Sequence, residues 1–194
     1  MEKFTGFKAE KATFTEQLPA GGYIAKICGA REEKYDWGSV LVIAFDIAEG
    51  EYKDFFTKQF KESTVENKKF KGTYRLTVPK QGSQYFDSNL RQFNNALWAI
   101  EDSNPSYKWD WNEDKLKGKL VGVLFGNEEW AMDDRTGWTT KCRYLISVSD
   151  VKAGKFKIPK DKPLKKKEDT TATPLPTPKD IIEVGVEDDA DLPF

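Results

Sequence analysis

Histidine is absent from this chain of 194 residues. That excludes every Ser-His-Asp arrangement and every His-containing zinc site. Cysteine is scarce, with Cys28 and Cys142 standing alone. They form no C-x-x-C pair, so neither a paired-thiol centre nor an oxidising compartment is indicated. No run of 18 apolar residues occurs, which excludes a membrane-spanning helix. Met1-Glu2-Lys3-Phe4 lacks the apolar stretch of a secretory signal, so none is expected. There is no G-x-x-x-x-G-K-[ST] loop and no G-x-S-x-G elbow, so P-loop and serine-elbow chemistry have no carrier. An excess of one charge is also missing: 31 Lys and Arg face 32 Asp and Glu, a net charge of −1. These absences predict a cytoplasmic, non-enzymatic protein with no metal, no cofactor and no membrane association.

Aromatic residues, by contrast, are plentiful. They make up 13% of a chain in which 32% of residues are charged. The even charge balance hides a pattern. Residues 1–154 carry 23 basic and 23 acidic side chains, and residues 155–167 carry seven Lys against Asp161. Residues 180–194 carry six acids and no base. Between the charged ends lies Thr170–Pro178, rich in Thr and Pro and without an aromatic. Such a stretch buries too little apolar surface to offset its ordering entropy and reads as disordered linker. The expected organisation is a domain over 1–158 and a disordered tail over 159–194, with a Lys-rich start, a Thr/Pro linker and an acidic tip.

Within the body, Tyr23–Ala30 and Val40–Ala48 read as strands. Leu41, Ile43, Phe45 and Ile47 fall on one face of the second, with Val42, Ala44 and Asp46 opposite. Tyr52–Phe60 reads as a further strand after a turn at Gly50-Glu51. Thr73–Val78 alternates Tyr74, Leu76 and Val78 against Thr73, Arg75 and Thr77. Then the period changes. Phe86, Leu90, Phe93, Leu97 and Ile100 form one stripe of an amphipathic helix, which Ser83 is placed to cap and Asn104-Pro105 to stop. Leu120–Phe125 and Thr139–Val148 complete the strands. On the last of these, Lys141, Arg143 and Leu145 alternate with Cys142, Tyr144 and Ile146. This order predicts a mainly β, OB-fold-like five-stranded barrel with one helix between strands 3 and 4. A small sandwich with one helix gives a similar string.

A barrel of this kind binds oligonucleotides on strands 2–3 and on the loops joining strands 1–2 and 4–5. Those loops are expected at Arg31–Gly38 and Gly126–Thr139. The first carries Tyr35 and Trp37 beside Arg31 and Lys34. The second carries Trp130 and Trp138 beside Arg135 and Lys141. A large ring in a charged loop has little core to join, whereas a nucleobase offers it a stacking partner. The alternative is that the rings fold back as lids, Trp130 against Met132. Lys68, Lys69, Phe70 and Lys71 combine charge with a stacking surface, or form a solvated loop. Arg75, Lys141 and Arg143 are the strand-borne candidates for phosphate contact. Phe86, Phe93 and Leu97 read as core, and Trp109 and Trp111 as a cover for the helix end. Glu128, Glu129, Asp133 and Asp134 are the only carboxylate cluster to which a metal-dependent nuclease could be assigned, and they read better as a solvated acidic stretch.

The C-terminal residues carry a resemblance. Glu187-Asp188-Asp189-Ala190-Asp191-Leu192-Pro193-Phe194 resembles the acidic tip of bacterial single-stranded DNA-binding proteins, typically Asp-Asp-Asp-Ile-Pro-Phe. Here Ala190 interrupts the acids and Leu192 stands for Ile. The resemblance implies that Asp188, Asp189, Asp191, Leu192, Pro193 and Phe194 bind replication, recombination or repair proteins, with the ring in an apolar pocket and the acids on a basic rim. The body resembles a phage- or prophage-encoded family of single-stranded DNA-binding proteins. The residues that carry this are Leu18-Pro19-Ala20-Gly21-Gly22-Tyr23, Phe45-Asp46-Ile47-Ala48-Glu49-Gly50 and Ser103-Asn104-Pro105-Ser106-Tyr107-Lys108-Trp109-Asp110-Trp111. That resemblance covers most of residues 1–150 and assigns no site residue.

The resulting expectation is a protein that coats single-stranded DNA in a bacterial host cell during phage replication and recombination, and recruits partners through its tip. A recombination mediator or annealing accessory that binds DNA weakly is the first alternative, favoured by the neutral body. A metal-dependent nuclease is the second. Homo-oligomerisation is left open.

Overall fold

Residues 16–164 are described by the structure, a computed structural model. The strands are β1 (Gly21–Tyr35), β2 (Gly38–Ile47), β3 (Thr73–Thr77), β4 (Leu120–Met132) and β5 (Arg135–Ile146). The helices are α1 (Phe55–Glu62), α2 (Phe86–Ser103) and α3 (Val148–Ala153), with a 3-10 turn over Glu113–Leu116. All strand pairs are antiparallel, in the order β3-β2-β1-β4-β5. The central strand serves two partners. Its first residues, Gly21–Lys26, pair with β4, and Ala25–Tyr35 pair with β2. Among the described residues, no helix is long and apolar enough to cross a membrane.

The expected helix lies between β3 and β4, but the expected barrel is not closed. β3 spans five residues and pairs with β2 alone. It approaches β5 without a ladder between them. At this open side the Tyr74 hydroxyl sits near Cys142 and Tyr144, and burial pushes its pKa up.

The apolar periodicities explain the core. Leu41, Ile43, Phe45 and Ile47 of β2 join Ala25, Ile27, Leu76, Val121, Val123 and Phe125 in one buried cluster. Phe93, Leu97 and Ile100 of the α2 stripe close it, helped by Ala96 and Ala99. Phe45, Phe56 and Phe125 meet within it, ring centroids 5.9–6.2 Å apart. Asn104 ends α2 and ties it to the sheet. Its Nδ2 donates to the carbonyls of Ile100 and Leu120, both at 2.7 Å, and its Oδ1 accepts from the Leu120 N–H. At the other end the Ser83 Oγ accepts from the Tyr85 N–H at 3.2 Å, just before the first helical turn.

The expected strand at Tyr52–Phe60 is instead a turn followed by α1. The cause lies outside the segment. Asp46 of β2 is buried, and its carboxylate accepts from the N–H groups of Phe56 (2.9 Å) and Thr57 (2.8 Å). Those amides have no partner within a helix, so a borrowed carboxylate makes the helix start there.

The last strand also departs from simple alternation. The ladder slips between Leu124 and Phe125, so that Tyr144 faces Leu124 while Cys142 faces Phe125. Arg143 is the extra residue. Cys142 and Leu145 therefore both turn to the core, and Leu145 does not share a face with Lys141.

Residues after α3 run back across the other side of the sheet. Gly22 leaves room for Phe156, whose ring would lie 2.7 Å from a Cβ at that position. Gly122 does the same for Val151, and Gly126 for Pro159. Beyond Phe125, where β1 has not yet begun, this strap takes the open edge of β4. The Lys162 N–H donates to the Asn127 carbonyl, and the Glu129 N–H donates to the Lys162 carbonyl. An otherwise unpaired edge is thereby covered.

Gly72 marks the tightest packing. A Cβ there would meet the Phe45 carbonyl oxygen at 2.2 Å and the Phe56 ring at 2.7 Å. Because a backbone atom cannot swing aside, Gly72→Ala should cost ~1–3 kcal/mol. The urea midpoint should fall with the m-value unchanged; an unmoved midpoint would contradict this packing.

Candidate nucleic-acid interface

The two segments expected as loops are β-hairpin arms. In the first, β1 continues to Tyr35 and pairs it with Gly38 across the turn Asp36-Trp37. In the second, Met132 pairs with Arg135 across Asp133-Asp134. Asp133 takes the left-handed conformation there, with φ 54°. The register puts the arms at opposite ends of β1: β1 and β2 run on where β4 has not begun, and β4 and β5 run on where β1 has not begun.

The first arm holds a stacking surface. The Tyr35 and Trp37 rings lie 5.2 Å apart at an interplanar angle of 9°. Trp37 remains 59% exposed. The Lys80 stem lies beside Gly38. In the second arm, Trp130 packs over Gly137, its cross-strand partner, where a Cβ would come within 2.9 Å of the ring. It does not need Met132. Trp138 pairs with Glu129, the neighbouring position, and so lies on the opposite face of the arm from Trp130. The structure therefore does not bring these two rings together. The Trp138 carbonyl accepts from Gln17 Nε2 at 3.2 Å, and Thr140 Oγ1 donates to the Leu18 carbonyl at 2.5 Å.

The cations of strands β1 and β3 do converge. Arg31 pairs with Val42, and Val42 with Arg75, so the arginines stand one strand either side of β2 on the face away from the core. Glu33 lies one pleat along β1. Its Oε1 accepts from Arg31 Nη2 at 2.6 Å and Nε at 3.1 Å. Its Oε2 accepts from the Tyr35 hydroxyl at 2.6 Å and pairs with Arg75 Nη2 at 2.9 Å. Arg75 Nη2 also donates to the Tyr35 oxygen at 2.7 Å. Val40 and Val42 are buried at the same face of the sheet. The Tyr35 hydroxyl and the two guanidiniums hold the Glu33 pKa down at about 2. Lys34, on the opposite face, pairs with Glu32 at 3.7 Å.

The remaining candidates are dispersed. Phe70 is no open platform: it is half-buried against Phe56 and Phe60, at centroid distances of 6.2 and 6.1 Å. Lys68 lies over the Phe60 ring and reaches the Ser63 carbonyl, while Lys69 and Lys71 are exposed. Lys71 borders a shallow groove with Gln17, Phe55, Gln59 and Thr140, near the base of the second arm. Arg135 is exposed at that arm's tip. Lys141 and Lys162 both hold Glu128, at 3.0 and 3.3 Å. Arg143, at the bulge, lies by Gly126 and Pro159, and its Nη1 is buried without a hydrogen-bond partner. The carboxylates considered for a nuclease are engaged at Glu128 by those lysines and at Glu129 by the Leu164 N–H. Trp109 and Trp111 pack, as expected, on α2, but against Phe93 in its middle and not over its end. Asp188, Asp189, Asp191, Leu192, Pro193 and Phe194 lie outside the described residues.

Sequence reasoning missed Glu33, Lys80 and the strap. The alternation Arg31, Glu33, Tyr35 was a readable signal for the first, since a strand puts all three on one face. Nothing local announces the other two. Neither a protein-family model nor a curated protein matches this chain.

The Glu33 cluster carries a pH signature. A carboxyl held at about 2 when folded, against an ordinary value of 4.5, stabilises the fold fully above pH 4.5. That contribution is lost as pH falls through about 2. Glu33→Gln removes it, so the stability difference between wild type and variant should shrink from pH 5 to pH 2 in urea titrations. A difference constant across that range would contradict the cluster.

Proposed function

We propose that this protein is a non-enzymatic single-stranded DNA-binding protein whose sheet is an opened OB-fold, with β3 and β5 at the seam. The strand order and the helix between β3 and β4 support the fold reading. One observation carries the functional reading: the outer side of the sheet is divided. The half made by β4 and the start of β1 is sealed by α3 and the strap. The half made by the end of β1, β2 and β3 carries Arg31, Arg75 and the exposed Tyr35–Trp37 stack. This is the strand 2–3 face on which OB-folds take oligonucleotides.

A base stacked on the free side of Trp37 extends an existing stack and requires no sequence readout, which is what coating a strand demands. The role in phage replication and recombination, and recruitment of partner proteins through Asp188–Phe194, rest on the sequence resemblance. The weaker-binding mediator is the second reading. It is favoured by the engagement of Arg31, Arg75 and Lys141 with carboxylates at 2.6–3.0 Å.

Titration with oligo-dT, with and without Mg²⁺, tests the proposal. Intrinsic fluorescence should be quenched and the DNA left intact. Trp37→Ala should cost ~1–3 kcal/mol of binding, and Trp138→Ala a similar amount if its arm clamps the same strand. With about four phosphates engaged, log K against log salt should slope near −3, at roughly −0.7 per phosphate. A folded Trp37→Ala variant that binds as tightly as wild type would refute the platform.

Recruitment is tested separately. Phe194→Ala should lose the host proteins captured by wild type while binding dT equally well. Full retention of those proteins would leave the acidic end a solubilising tail.

A further inference from the structure

Glu33 is placed where a DNA-binding face should not hold an anion. Around its one carboxylate converge two guanidiniums and a phenol, at 2.6–2.9 Å. All of them stand at the surface: the side chains of Arg31 and Arg75 are 67% and 50% exposed, and that of Glu33 is 24% exposed. A core ion pair would be enclosed, and a casual surface pair would use one donor. This cluster instead gathers donors from two strands that are not neighbours, separated by β2 at about 5 Å per strand spacing.

We propose that the Arg31–Tyr35–Arg75 cluster is a binding site for one phosphodiester group, and that Glu33 is its resident competitor, displaced when a strand docks. This rests on the single-strand reading above.

The chemistry matches. A phosphodiester offers two anionic oxygens, as a carboxylate does, and guanidinium forks take either in bidentate geometry. Val40 and Val42, buried at the same face, keep its floor dry. Tyr35 belongs to both devices. Its hydroxyl holds the anion, and its ring backs Trp37. A nucleotide stacked on Trp37 thus has a phosphate site one side chain away. A glutamate is charged at every physiological pH, and the partners of Glu33 keep it so well into the acid range, so the site is closed by an anion until a better one arrives.

Exchange of one anion for another releases few counterions. The wild-type site therefore adds little to the salt dependence, and it disfavours isolated phosphates relative to a strand that also stacks. Glu33 becomes a filter that makes phosphate capture conditional on base stacking.

The test is oligo-dT titration over a salt series with Glu33→Gln, alongside Asp102→Asn on α2, which removes the same charge elsewhere. Glu33→Gln should bind about tenfold more tightly at low salt. Its slope should steepen by about 0.7, one further phosphate. Asp102→Asn should do neither. Adding Arg31→Gln and Arg75→Gln to Glu33→Gln should abolish the gain. If Glu33→Gln behaves like wild type or like Asp102→Asn, the competitor role is wrong while the single-strand reading stands. If no variant and no wild type binds dT, both fall. Should Glu33→Gln fail to fold, Arg75→Gln alone decides: it should weaken binding at every salt concentration with the slope nearly unchanged, and undiminished binding overturns the site.

Discussion

One strand, β1, has to serve two partners, and the rest of the molecule follows from how it does so. Its first residues pair with β4 and its later ones with β2, and the two ladders overlap only at Ala25 and Lys26. At one end β1 and β2 therefore run on together past β4, and at the other β4 runs on with β5 past β1. Those overruns are the two arms, and with them come every exposed ring of the candidate interface. The overrun of β4 also leaves an unpaired edge, and the strap fills it with the Lys162 backbone. Three glycines of the central strands, Gly22, Gly122 and Gly126, let the strap and α3 approach closely. Sealing one half of the outer side is what leaves the other half as a distinct surface.

That open half is not a basic patch in the ordinary sense. Its cations are partnered, which agrees with a body whose charges balance. Exposed ion pairs contribute only ~0–1 kcal/mol each to stability, so such a surface is cheap to rearrange. Charge that is paired before docking gives little long-range attraction and adds less to the salt dependence than free cations would. On the single-strand proposal, affinity then comes mainly from stacking. On that proposal, such a surface would discriminate a flexible single strand, whose bases are free to stack, from a duplex, whose bases are not. Net charge alone would say nothing of this; the arrangement of the pairs does.

The apolar periodicities were legible because they are local. Leu41, Ile43, Phe45 and Ile47 needed only a pleat to share a face, and the α2 stripe needed only a helical turn. What escaped was non-local. The α1 helix is started by Asp46, ten residues before Phe56 and on another element. The arms contain Gly, Asp and Trp and read as loops, because ladder bonds depend on the facing strand and not on the segment itself. Phe70 stands among lysines, yet finds Phe56 and Phe60 in space. Arg143 looked like the partner of Leu145 on one face. One extra residue at the bulge reversed the parity and put Leu145 in the core with Cys142.

The sequence by itself determined a mainly β body with one long helix, the identity of most core side chains, and the aromatic residues that have no core to join. Tertiary structure alone decided that the sheet stays open and which outer half is covered. It also decided that Arg31 and Arg75 meet over one carboxylate. The reason is register. Side-chain faces repeat every two residues along a strand, so the pattern within a strand can be read from its letters. Which charge lies beside which on the next strand depends on pairing, and a slip of one residue would send Arg75 to the core and Tyr74 to the surface.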